Sequence, residues 1–232
     1  MPQQISQTKR KSLMTSFAPD TFTPQFEQFI RRQAATDPAH DLTHIQRVVA
    51  AAKQFCYEEK ANLAVVLPAA WLHDCVTLPK NHPERHHASA MAAQAAIAFL
   101  QSIHYPAHYF PAITHAIEAH SFSAQIPVQT LEAAIVQDAD RIDALGAIGI
   151  ARCIQVSVGF QAALYSADDP FGEHRPRDDK AFCIDHFFTK LFRLEATMNT
   201  TAGKREARLR TEYMKGFLAQ LGHEINVPFH PD

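Results

Sequence analysis

Glycine is scarce: the 232 residues contain only seven, too few for a chain built on tight turns or Gly-rich loops. Excess charge of one sign is missing too. Lys+Arg 22 against Asp+Glu 24 leaves a formal net charge of −2, so no basic field recommends DNA, RNA or an anionic membrane as partner. The four cysteines, Cys56, Cys75, Cys153 and Cys183, lie far apart and form no CxxC. That spacing argues for reduced thiols in a cytoplasmic protein rather than a disulfide framework or a zinc ribbon. No apolar run approaches the ~20 residues that span a bilayer. The opening MPQQISQTKRKSLMTS is basic, but no apolar core follows it, which excludes a secretory signal. Its lack of acids would suit a mitochondrial address; a tail over 1–20 is the simpler reading. Strand-like alternation, internal repeats and low-complexity tracts are absent as well.

What the chain does have is helix formers and histidine, 14 of the latter. The length suits one domain, or one with an appendage, and low Gly beside abundant Ala, Leu and Gln points to an all-α protein. A helix is expected from Thr23-Pro24, with Thr23 as cap, up to the break at Asp37-Pro38. A second runs over about 41–60, where Ile45, Val48, Val49, Ala52 and Phe55 keep helical spacing. Others are expected over about 63–74, 84–103, 106–120, 129–145, 147–165, 181–198 and 202–222, roughly nine in all. LPKNHPERHH and residues 166–180 read as loops. The 16 Phe residues suit a helical core. The organisation expected is a tail over 1–20, a main domain over 21–165, a loop and two helices packed on it over 166–222, and a second tail over 223–232.

Polar residues with a chemical reading cluster in four segments. In AHDLTHIQRV, His40 and His44 are four apart and share a helix face. The adjacent His73-Asp74 ends an apolar stretch with no basic partner beside it. IVQDADRIDALG carries Asp138, Asp140 and Asp143, and THAIEAHS carries His115 and His120. Imidazoles and carboxylates gathered from three helices suit a divalent cation that accepts mixed N and O ligands. Such an ion can bind phosphate, acidify a water and stabilise developing charge. The alternative is a hydrogen-bonded set of buried polar groups.

His44, then His73-Asp74, then Asp140 resembles the H…HD…D signature of the HD-domain metal-dependent phosphohydrolase superfamily. HDLTHIQRV, KNHPERHHAS, HSFSA, QDADRIDALGAIG and DPFGEHRPRDD, in that order, resemble the small bacterial YedJ-type members over about residues 24–222. The resemblance implies an all-α HD-domain helical bundle with additional C-terminal helices. It implies His44, His73, Asp74 and Asp140 as metal ligands, with Mn²⁺ the expected ion and Mg²⁺, Co²⁺, Ni²⁺ or Fe²⁺ as alternatives. His40 matches a leaving-group acid of cyclic nucleotide phosphodiesterases, although Asp41 replaces the Asn beside it there. Alarmone hydrolases carry an acidic pair soon after their HD; Val76-Thr77 stand near that point here, and Lys80, His82, Glu84 and Arg85 are the substitutes to consider.

The activity implied is metal-dependent hydrolysis of a phosphoester or phosphoanhydride, on a small nucleotide substrate: a nucleoside triphosphate pyrophosphohydrolase or a nucleotidase. Its catalytic residues would be His40, Lys80, Arg85 and His120. Neither nucleic acid nor membrane is an expected partner, and a homodimer is allowed. A non-catalytic metal-dependent nucleotide sensor is the alternative, and an oxygenase using His115 and His120 as extra ligands a further one. Several residues keep two readings: Arg47 as phosphate holder or salt-bridge partner, Asp143 as orienter of a ligand or helix-end charge, Asp138 as a helix cap. His174, Arg175 and Arg177 belong either to a lid or to a mobile surface loop.

Overall fold

The computed structural model describes residues 17–33, 42–78 and 82–231. Eight α-helices follow in order: α1 (Thr23–Arg32), α2 (Leu42–Glu59), α3 (Leu63–Leu72), α4 (Ala88–Ser102), α5 (Phe110–His120), α6 (Leu131–Ile142), α7 (Gly146–Gly159) and α8 (Thr201–Glu224). No strand occurs among the described residues, only an isolated bridge between Ala163 and Phe182. The all-α expectation holds. Among the same residues no single helix is long and apolar enough to cross a membrane.

Helix α3 is the axis of the bundle. Its sequence LAVVLPAAWL is buried from Ala64 to Leu72, and it packs on α1, α2, α5 and α6. Asn62 starts it by accepting the Ala64 amide on its side chain. Pro68 sits inside the helix and, lacking an N–H, cannot satisfy the carbonyl of Ala64 one turn earlier. The Tyr105 hydroxyl takes that place, donating to Ala64 O at 2.7 Å. A helix with no polar face is thus threaded through the core with this proline-exposed carbonyl answered.

The C-terminal half is bolted on by a buried aspartate. Asp138, on α6, is fully buried and accepts hydrogen bonds from the amides of Asn199 and Thr200, the Asn199 side chain and the Thr200 hydroxyl. Thr200 Oγ1 in turn accepts from Gly203 N and caps α8. Asp138, expected as a helix cap, lies inside α6 and caps no helix itself; it holds Thr200, which caps α8. A Cβ at Gly203 would collide with its carboxylate, so this crossing needs glycine.

Three expectations are corrected. The helix expected over 181–198 is a wide π turn, Phe187–Leu191, followed by a 3-10 turn, Phe192–Thr197. There Phe187 and Phe188 both pack on Phe192, which neighbours 100° apart on a regular helix could not do so readily. Residues 17–20 are not tail: Pro19–Phe22 form a 3-10 turn, and Phe17 packs on Phe22, Tyr105 and Tyr109. At the other end α8 continues to Glu224, and Phe229 packs on Phe171 and Phe188.

Tyr105→Phe is expected to cost about 1–3 kcal/mol by orphaning the Ala64 carbonyl. In a Pro68→Ala background a helical N–H takes over, and the same substitution should cost less than about 1 kcal/mol. Urea denaturation of the four proteins in the double-mutant cycle checks this; equal costs in both backgrounds would contradict it.

Candidate metal centre

Five side chains converge where the start of α2 meets the ends of α3, α5 and α6. His44 comes from the first turn of α2, His73 and Asp74 follow α3, His120 ends α5, and Asp140 lies on the last turn of α6. His44 Nε2 is 3.5 Å from Asp140 Oδ1. His73 Nε2 is 3.7 Å from Asp74 Oδ2 and 3.8 Å from Asp140 Oδ1. His120 Nε2 is 3.4 Å from Asp74 Oδ1. His44, His73 and Asp140 each offer a donor atom within 4.8 Å of the others, and so do His73, Asp74 and His120.

The opposite nitrogen of each ring is already committed. His73 donates Nδ1–H to Ala70 O at 2.9 Å, His120 to Ile117 O, and His44 to Asp143 Oδ2 at 2.8 Å. Those oxygens only accept, so Nδ1 carries the proton and a neutral ring keeps its Nε2 lone pair. All three lone pairs then face carboxylate oxygens. For His73, wholly buried, Nε2 makes no hydrogen bond among the described residues. Lone pairs confronting anions repel unless a cation stands between them. The donor set, imidazole nitrogens with carboxylate oxygens, fits a divalent transition ion.

The electrostatics agree. Burial lowers the His44 pKa, but the carboxylates of Asp140 and Asp143 outweigh that and raise it to about 9: they call for a cation at Nε2, which a proton or a metal ion can supply. For His120 burial is likewise outweighed, by Asp74, and the net shift is upward. Only His73, deepest of the three, is pushed down by burial. The carboxylates draw positive charge to the centre.

Behind His44 stands a clamp. Asp143 is buried, and besides His44 it accepts from Arg47 Nε at 2.6 Å, Arg47 Nη2 at 2.9 Å and Arg152 Nη1. Burial would raise its pKa, but the hydrogen bonds from His44 and Arg47 hold it well below the usual carboxylate range. Of the two readings of Arg47, the structure gives the salt bridge; of those of Asp143, the partner that orients His44. Arg152 escapes a reading of motifs. Its signal is that α7, GAIGIARCIQVSVG, has no other charged residue.

The remaining expected residues separate. His115 lies outside the cluster, where its Nε2 accepts from Gln129 N at 3.1 Å and fixes the loop before α6. Arg85 is half-buried in the 3-10 turn Arg85–His87 that leads into α4. His40 and Lys80 lie outside the described residues.

The HD domain family model matches residues 41–145. The Bacillus subtilis protein YpgQ, itself described as uncharacterized, is 31% identical over 191 residues, 80% of this chain and 84% of that one. The chain belongs to the HD family. Among solved structures, an HD-superfamily hydrolase from Bacillus thuringiensis aligns with a TM-score of 0.72 at 30% identity, covering 90% of this HD protein and 99% of that chain. A crystal structure of YpgQ in complex with ADP aligns at 0.66 with 28% identity, covering 88% and 96%.

In the loop over 166–180 of this HD protein the two arginines are tied to the fold. Arg175 makes a two-pronged ion pair with Asp185 at 2.6 and 2.8 Å, donates from Nε to Asp169 O and lies over the Phe182 ring. Arg177 covers the Phe188 ring and donates to Phe171 O. The backbone of His174 is fixed by Asp169 Oδ2. Asp185 is fully buried, so its charge requires that arginine. Arg175→Ala is therefore expected to cost about 3–5 kcal/mol of stability, read from chemical denaturation. A gating arginine would instead change KM or kcat and leave the unfolding midpoint in place.

Proposed function

We propose that this HD protein is a metal-dependent phosphohydrolase of the cytoplasm that cleaves phosphoester or phosphoanhydride bonds of small nucleotides. It would act as a nucleoside triphosphate pyrophosphohydrolase or as a nucleotidase. His44, His73, Asp74 and Asp140 are its metal ligands and Mn²⁺ its ion. The observation that carries this reading is His73: Nδ1–H given to Ala70 O, Nε2 buried and turned to the carboxylates of Asp74 and Asp140. The ADP complex of YpgQ supports a nucleotide over other phosphates.

A divalent ion held by these ligands supplies Lewis acidity, lowering the pKa of water and neutralising charge that develops on the phosphoryl group. The chain's own residues do the rest. Asp143, gripped by Arg47 and Arg152, keeps His44 in the tautomer whose Nε2 faces Asp140. His120, 3.4 Å from Asp74, can in its protonated form, which Asp74 favours, donate from Nε2 to a phosphate oxygen. Lys80 and Arg85 hold the remaining phosphates, and His40, four residues before His44 in the sequence, delivers a proton to the leaving group.

Metal-stripped protein refilled with Mn²⁺ should release pyrophosphate from nucleoside triphosphates or phosphate from monophosphates, and Asp74→Ala should abolish the release. Nucleotide that binds with Mn²⁺ and comes off unchanged would replace the hydrolase reading by that of a sensor. Separately, Asp143→Asn is expected to weaken Mn²⁺ binding roughly 10- to 100-fold, measured by calorimetric titration; unchanged affinity would remove Asp143 from the centre.

A further inference from the structure

Two of the four thiols that lie far apart in sequence meet in space. Cys153 Sγ on α7 and Cys183 Sγ are 3.6 Å apart. Both sit on fixed backbone. Cys153 is one turn before Ser157, whose hydroxyl donates to the Cys153 carbonyl. Cys183 lies in a short ladder where Ala163 N donates to Ala181 O, Cys183 N to Ala163 O and Ile184 N to Leu164 O.

We propose that Cys153 and Cys183 form a peroxide-reactive dithiol that closes to a reversible disulfide between α7 and the segment before the π turn. This modification site is separate from the metal centre and does not depend on the reading given to that centre. The Cys183 thiolate attacks one oxygen of hydrogen peroxide. The O–O bond breaks, hydroxide leaves, and Cys183 becomes a sulfenic acid, oxidised by two electrons. The Cys153 sulfur then attacks the Cys183 sulfur; the S–O bond breaks, the S–S bond forms, and the departing hydroxide takes the Cys153 proton as water. In sum two thiols and one peroxide give a disulfide and two waters, and a small dithiol reverses the change by exchange.

The other two cysteines serve as internal contrast. Cys56 donates its thiol to Ala61 O and Cys75 to Ala92 O. Burial pushes their pKa values up to about 11 and about 12, which keeps them as inert thiols. At Cys183 the hydrogen bond shared with the Cys153 thiol outweighs burial, lowering the pKa to about 7. Cys183 is 2% exposed and Cys153 half-buried, so peroxide reaches the pair from the Cys153 side.

The test is a non-reducing peptide map of the full-length Mn²⁺-loaded protein after brief exposure to hydrogen peroxide, with free thiols alkylated. One cross-linked peptide pair joining Cys153 to Cys183 is expected, with Cys56 and Cys75 alkylated and all four thiols restored by dithiothreitol. Cys153→Ser should leave a Cys183 sulfenic acid that dimedone captures, and Cys183→Ser should slow peroxide-dependent thiol loss at least tenfold. Oxidation of Cys56 or Cys75 at the same rate, or loss of the Cys153 and Cys183 thiols without a cross-link, would overturn the proposal. Because the map is read on the unsubstituted chain, misfolding of either variant does not affect it.

Discussion

A carboxylate that is 3% exposed cannot stay ionised without partners, and Asp143 is held so by three. His44, Arg47 and Arg152 converge on it from α2 and α7, and through it the bundle keeps one imidazole in one tautomer at one angle. Removing either arginine would leave buried charge and turn His44 loose together. The burial of Asp143 and the aim of His44 are one constraint, which ties the packing of α2, α6 and α7 to the geometry of the metal centre.

Helix α6 carries three aspartates within six residues, and each has a different occupation. Asp138 faces away from the cluster and holds the first turn of α8. Asp140, three residues before Asp143 and so on the same side, faces the histidines. Asp143, at the end of the helix, receives the arginines. Spacings of two and three around a 3.6-residue turn distribute them in this way. The same helix thus anchors the C-terminal segment, contributes a candidate ligand and orients another.

The helices up to α7 were legible because each pairs an apolar period with a cap, a proline or a loop at its ends. Pro24 stands in the first turn and Asn62 and Thr130 cap their helices, whereas Thr23, expected as a cap, is the first helical residue after Phe22 and its side chain caps nothing. His44, His73, Asp74 and Asp140 were legible through their motif. What local sequence could not show are partners distant along the chain: Arg47 and Asp143 are 96 residues apart, Asp138 and Thr200 62. Arg175 has Asp185 just ten residues on, yet a run of charge and proline gives no sign that the aspartate is buried. The π turn at Phe187–Leu191 was hidden for another reason. Its consecutive aromatics suit a helix by propensity, and packing on Phe192 and Phe217 overrides that preference.

The Asp138–Thr200 junction bears on how such a protein can change over generations. The match to the HD family ends at residue 145, which suggests a module that recombination could join to any following segment. The junction forbids it. A chain cut or spliced after α6 would carry a fully buried anion whose hydrogen-bond donors all belong to the discarded part, and a replacement helix would need glycine where Gly203 makes room for that carboxylate. Asp138, Thr200 and Gly203 therefore work as a set, and the structural unit reaches well beyond the residues that match the family.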